Sequence, residues 1–219
     1  MQEQACVDGS VTSVGTPARS LAAIVTGRAT AFRAPNRGPF ARFERLNVNG
    51  VPTVLSVQAK RLDGSCRVAW YRVGLPLKPN GVSGWVRARE VTVAPVTTRI
   101  EVDLSARRVT LYDRDRRVFS AEAAIGSAAT PTPTGRYYVN QRLIPTDPSG
   151  PFGPGAIGIS AFSPVLTGWA QGGPIAIHGT NRPELIGQAV SNGCIRIRND
   201  DLQRLFDRTL AGTPVLVSA

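Results

Sequence analysis

The sequence predicts a mainly β protein built as two successive units, and three observations carry that expectation. Between Ile24 and Val93, short β-branched runs alternate with Pro-Asn, Asn-Gly and Asp-Gly turns, and no helical period persists. From Ile100 onward, apolar and polar residues alternate with the period of half-buried strands. A sustained helical period occurs only once, late in the chain, at Asn199–Leu210. A chain of 219 residues suits one large β domain or two smaller ones. The change of rhythm at Val91-Thr-Val-Ala-Pro95 favours two, with a boundary near residues 94–97.

Taken in order, residues 1–20 are small and polar and read as a flexible segment. Residues 21–95 form the first unit, with strands expected at Ile24–Thr26, Thr53–Gln58, Arg67–Val73 and Gly84–Val86, a rhythm that fits a small barrel of about five strands. Residues 97–219 form the second unit. Its strands begin with Ile100, Val102 and Leu104, continue through Val109–Tyr112 and Val118-Phe119 across a charged turn at Asp113-Arg114-Asp115, and include Gly135–Val139. Leu143–Gly158 holds Pro145, Pro148, Pro151 and Pro154, and reads as an ordered loop that serves either as a lid or substrate wall or as a stiffened surface excursion. Phe162–Leu166 has the form of a short helix start, with Ser163 as cap and Pro164 at the first position. Pro174–Ile177 is a short strand that delivers His178 at its end. In the helix, Asn199 is the expected cap, Asp200 and Asp201 favour the first turn, and Leu202, Leu205, Phe206 and Leu210 form the buried stripe. Pro214–Val217 closes the fold as a strand.

Lysine and arginine number 26 against 15 acidic residues, a formal net charge of +11 that suits a polyanionic partner. The excess lies mainly in residues 1–95, where 13 basic and 5 acidic side chains give +8, against 13 and 10, or +3, in residues 96–219. These charges stand in ones and twos without interleaved aromatics, so no nucleic-acid groove is expected. No apolar stretch is long enough to span a bilayer, and Leu21–Val25 is too short and too internal for a signal peptide. Cys6, Cys66 and Cys194 lack metal-ligand spacing, so no metal is expected. Either Cys6 and Cys66 form a disulfide that leaves Cys194 free, or Cys66 is a small buried residue in a strand.

The chemistry concentrates in two short motifs. The only histidine stands in Ile177-His178-Gly179-Thr180, sixteen positions before Cys194 in Ser191-Asn192-Gly193-Cys194-Ile195-Arg196. An imidazole within reach of a thiol activates it and returns the proton to a leaving amine. Gly193 allows close backbone approach, and the amides of Gly193 and Cys194 suit an oxyanion hole; the plainer alternative is a tight Asn-Gly turn ahead of a core strand. The second imidazole nitrogen needs an acceptor, for which a backbone carbonyl next to His178 suffices. Arg196 shares a strand face with Cys194 and either meets a substrate carboxylate or braces the loop, with Arg198 ranked below it.

His178-Gly-Thr-Asn181 followed by Ser191-Asn-Gly-Cys-Ile-Arg196 resembles the catalytic signature of L,D-transpeptidases of the YkuD type. The likeness extends over residues 97–218, through Ile100–Leu104, Ile125-Gly126 and Thr130-Pro-Thr-Pro-Thr-Gly135. It implies a β-rich catalytic domain with a few short helices that links peptidoglycan stem peptides. By this resemblance Cys194 attacks a donor tetrapeptide and expels D-alanine, and an acceptor stem's amine completes a 3-3 cross-link; with water as the acceptor the enzyme would be an L,D-carboxypeptidase. His178 matches the base and later acid, the Gly179 carbonyl its orienting partner, and Gly193 and Cys194 the oxyanion hole. Substrate contacts are expected from Arg196, Asn192, Ser191 and Thr180, without a cofactor. Asn192 departs from the commoner form, which has a second histidine there, and leaves His178 without a rival base. Trp70-Tyr-Arg-Val73 and Gly84-Trp85-Val86-Arg87 resemble bacterial SH3-like modules, which implies an SH3-like barrel ahead of the catalytic domain and wall binding as a possible role for it. Export to the periplasm or cell wall follows from the same likeness, and a non-catalytic wall-binding protein is the alternative of another class.

Overall fold

The structure is a computed structural model that describes residues 7–16 and 18–219. Two eight-stranded sheets and one ten-residue helix make up most of the fold. The first sheet is antiparallel throughout. It runs in the order Arg37–Glu44, Arg28–Ala34, Ser83–Arg87, Val68–Gly74, Val54–Leu62, Ser20–Val25 and Val91–Val96, with Val11–Ser13 added beside Val54–Leu62. It closes on Ala23, Val25, Leu55, Val57, Val73 and Val86. The second sheet begins at Thr98, immediately after the last strand of the first. Its order is Arg116–Glu122, Arg108–Asp113, Thr98–Asp103, Pro214–Ser218, Gly135–Leu143, Ala156–Phe162, Pro174–His178 and Ile195–Arg196.

The alternation of Ile100 and Val102 reflects burial, since both are wholly inside, and Leu202 and Leu205 of the helix pack into the same core. The Asp113-Arg114-Asp115 turn is a tight hairpin in which Arg114 and Asp115 both have positive φ. That conformation matches the twist of the flanking strands.

Several expectations are corrected. The chain before residue 20 is not all lead-in, because Val11–Ser13 pairs with Arg61–Ala59. The first sheet has eight strands, seven of them between Ser20 and Val96, rather than about five, the missed ones including the hairpin Arg28–Ala34 with Arg37–Glu44, which turns at Asn36. Cys66 occupies an exposed turn at φ 61°, not a strand; Cys6, its expected partner, lies outside the described residues. The expected loop at Leu143–Gly158 is shorter, since strands occupy Gly135–Leu143 and Ala156–Phe162. Ala156–Phe162 is buried along nearly its whole length, so it lacks the alternation that reveals a strand. A Cβ at Gly158 would meet Gln141 Cγ at 2.6 Å, which explains a glycine in mid-strand.

No helix starts at Ser163. Its hydroxyl accepts from the amides of Val165 and Leu166, a cap-like turn that the chain leaves at once. The helix runs from Asn199 to Arg208, with Arg198 rather than Asn199 at the N-cap position, and Leu210 lies beyond its end, 56% exposed. Trp70 is buried and packs edge-on against Phe32, with the Arg87 guanidinium 5.2 Å over its ring. Trp85 is half-buried.

The two sheets meet through an apolar cluster of Ala22, Val54 and Val96 with Ala211. Gly212 lets them approach, because a Cβ there would lie 2.3 Å from that of Ala22. Asn47 and Asn49 both donate to Gln141 Oε1 across the same junction, at 2.9 and 2.8 Å. No helix among the described residues is long and apolar enough to cross a membrane.

Candidate active site

The second sheet brings the two motifs together by a parallel pairing. Ile177 lies opposite Ile195 and His178 opposite Arg196, so the ends of the His178 strand and the Cys194 turn are neighbours. The isoleucines point into the core, which sends His178 and Arg196 to the other face. His178, Cys194, Arg196 and Asn192 line one cavity of about 160 Å³, walled by Phe152 and Trp169.

His178 is 4% exposed, and its Nδ1 lies 2.6 Å from the Gly179 carbonyl. A carbonyl only accepts, so in the neutral ring Nδ1 carries the proton and Nε2 the lone pair. Burial pushes the imidazole pKa down to about 4; the Gly179 contact opposes that shift and the Arg196 charge adds to it. The ring is therefore neutral at neutral pH. The Cys194 thiol is pushed upward by burial, which outweighs the Ala176 backbone hydrogen bond and the Arg196 charge that favour the thiolate. The sulfur's hydrogen bond runs to the Pro174 carbonyl at 3.9 Å. The cavity thus holds a neutral thiol and a neutral imidazole at rest. Alkylation of Cys194 by iodoacetamide should accordingly accelerate as pH rises through and beyond 8, because only the thiolate reacts and its fraction grows towards the raised pKa. A rate plateau already reached below pH 7 would contradict this.

Gly179 sits where no side chain fits. A Cβ there would lie 2.3 Å from Asn199 Oδ1, which accepts from the Thr180 amide at 2.8 Å. Asn199 therefore holds the turn after His178 instead of capping the helix. Thr180 is buried, and its hydroxyl accepts from the Arg182 amide, away from the cavity. Ser191 is also buried: its hydroxyl donates to the Cys194 carbonyl at 2.5 Å and accepts from the Gly193 amide at 3.1 Å. Ser191 and Thr180 thus serve the loops rather than facing the cavity, and the Gly193 amide expected in an oxyanion hole is engaged with Ser191. Gly193 has φ 106°, a conformation that favours glycine.

The threonine-proline run has a place in this arrangement. Thr130 Oγ1 donates to the Ser191 carbonyl at 2.8 Å and Thr132 Oγ1 to the Gly193 carbonyl at 2.9 Å. Thr132 Oγ1 also accepts from the Gly126 amide at 2.9 Å. A Cβ at Gly126 would lie 2.4 Å from Thr130 O, so the Ile125-Gly126 motif is a close backbone approach that supports the cysteine loop. Thr132→Val should strand a buried N–H and a buried C=O and lower unfolding stability by about 2 kcal/mol, measured by chemical denaturation. An unchanged midpoint would refute this buttress.

Four residues at or around the cavity were not expected there from the sequence. Phe152, from the proline-rich loop, is 48% exposed and tilts over the His178 ring at 4.9 Å between centroids. Trp169 also lines the cavity, and Thr132 and Asn199 act from outside it. Arg196 Nε is buried without a hydrogen-bond partner, in a side chain that lines the cavity.

The family model for YkuD, the L,D-transpeptidase catalytic domain, matches residues 97–217. The YkuD protein of Bacillus licheniformis, which bears an L,D-transpeptidase name, is 35% identical over 151 residues, 66% of this chain and 84% of that one. Its namesake in Bacillus subtilis is 37% identical over 119 residues, 54% of this chain and 65% of the relative. Among solved structures, the NMR structure of the catalytic domain from an E. faecium L,D-transpeptidase superposes with a TM-score of 0.41 at 26% identity, covering 55% of this chain and 96% of that one. The family match spans more than half of the chain and contains both motifs that line the cavity, so this protein belongs to the YkuD family of L,D-transpeptidases.

Proposed function

We propose that the protein is a cysteine L,D-transpeptidase that forms 3-3 cross-links between peptidoglycan stem peptides. The observation that carries this is the shared cavity of Cys194 and His178, in which the imidazole is fixed by the Gly179 carbonyl in the tautomer that accepts a proton at Nε2. Cys194 Sγ attacks the carbonyl of the third residue of a donor tetrapeptide, and its proton passes to His178. The imidazolium gives that proton to the departing nitrogen of D-alanine, leaving a thioester. An acceptor amine then attacks, loses a proton to His178, and the proton returns to the released thiolate. The Cys194 amide is the donor proposed for the developing oxyanion. Arg196 is proposed to meet a substrate carboxylate, which would satisfy its unpartnered Nε. Asn192, exposed on the cavity rim, is proposed as a further substrate contact.

Residues 97–219 are proposed as the catalytic domain and residues 21–95 as an SH3-like module that associates with the wall, whose anionic character suits the basic first half. The place of action is then the periplasm or cell wall. Incubation of reduced protein with a defined tetrapeptide muropeptide, followed by mass analysis, tests the activity. A cross-linked dimer with release of D-alanine is expected. Trimmed tripeptide alone would identify a carboxypeptidase, and neither product would overturn the proposal.

A further inference from the structure

One wall of the cavity is held from outside the second sheet. The segment from Ser163 to Gly173 leaves that sheet and returns, closed at its base by a bond from the Ser163 amide to the Gly173 carbonyl at 2.8 Å. It contributes Leu166 and Trp169 to the cavity of the thiol. Its anchors come from turns of the first sheet. Asn80, in the turn between Val68–Gly74 and Ser83–Arg87, clasps the backbone of Phe162 at both of its polar groups. Its Nδ2 donates to the Phe162 carbonyl at 2.9 Å, and its Oδ1 accepts from the Phe162 amide at 2.9 Å. At the far end, Gln171 Nε2 donates to Asn49 Oδ1 at 3.1 Å.

A side-chain amide that pairs with one residue's N–H and C=O imitates a neighbouring strand and fixes that peptide in position and orientation. Asn80 is itself exposed and lies outside the core of its own sheet, so the clasp adds nothing to that core. We propose that Asn80 is a positioning residue for the catalytic cavity: it fixes the root of the Ser163–Gly173 wall and so couples the first unit to the binding of substrate by the second. The inference rests on the transpeptidase reading for its substrate, a donor stem peptide. It concerns the shape of the cavity, not the reactivity of the thiol.

The test is Asn80→Ala in the full chain. The KM for donor tetrapeptide should rise about fivefold to tenfold, the factor that one or two lost hydrogen bonds produce, with kcat within about twofold of wild type. Iodoacetamide alkylation of Cys194 and the melting temperature should stay at wild-type values, while amide exchange across residues 163–173 should accelerate. Asn80→Asp keeps the acceptor for the Phe162 amide and should recover part of the KM effect. An unchanged KM, or a loss of alkylation and thermal stability in parallel with turnover, would overturn the inference. Absence of turnover in the wild-type protein would instead sink the transpeptidase reading; the clasp would then stand or fall on the exchange of residues 163–173 in Asn80→Ala.

Discussion

Replacing Cys194 with alanine should abolish both cross-linking and any hydrolysis of the donor, by more than about 10⁴-fold, because a covalent route has no substitute once its nucleophile is gone. The magnitude follows from the poverty of alternatives. Among the described residues the cavity offers no second thiol, and its one hydroxyl, that of Ser163, is engaged by the Val165 and Leu166 amides. The fold should survive, since Cys194 is only half-buried and the exchange removes one sulfur atom, a cost of about 1 kcal/mol or less. Mass spectrometry of protein incubated with donor peptide should show the acyl adduct in wild type and none in the variant. Turnover within tenfold of wild type in a folded Cys194→Ala protein would eliminate the sulfur as nucleophile.

The second large effect is expected at His178. His178→Gln should lower kcat/KM about 10²- to 10⁴-fold, the usual contribution of a positioned proton carrier. The effect should be undiluted, because the chain has one histidine and Asn192, at the position where the commoner motif has another, cannot carry a proton. The pH profile separates this role from simple packing. With the imidazole pKa pushed down to about 4, the base form persists well below the ordinary histidine range. Wild-type activity should therefore decline on the acid side near pH 4, not near 6.5, and that limb should vanish in His178→Gln. An acid limb centred at 6.5, or one that survives the substitution, would remove His178 from the proton path.

Much of this site could be read directly from the chain. A lone imidazole and a glycine-flanked cysteine have few other uses at such spacing, and Arg196 shares the cysteine's strand face by simple alternation. What failed were assignments in which a local signal had a different tertiary use. Asn199 carries the chemistry of a helix cap but accepts from the Thr180 amide. Ser163 and Pro164 resemble a helix start but form an isolated turn. Ser191 and Thr180 stand near Cys194 and His178 in sequence, yet both are buried and spend their hydroxyls on the backbone. The strand Ala156–Phe162 was hidden because burial on both faces erases the alternation by which a strand is recognised.

The sequence by itself determined the mainly β class, the change of strand rhythm where one sheet gives way to the next, the helix near the C-terminus and the two motifs that line the cavity. These rest on periodicity, turn chemistry and residue type, all local properties. Only the tertiary structure decided the protonation state of the pair, the threonine supports beneath the cysteine loop, and the clasp of Asn80 on the cavity wall. Each of these depends on desolvation or on a hydrogen bond between segments dozens of residues apart, and such long-range terms leave no periodic trace along the chain.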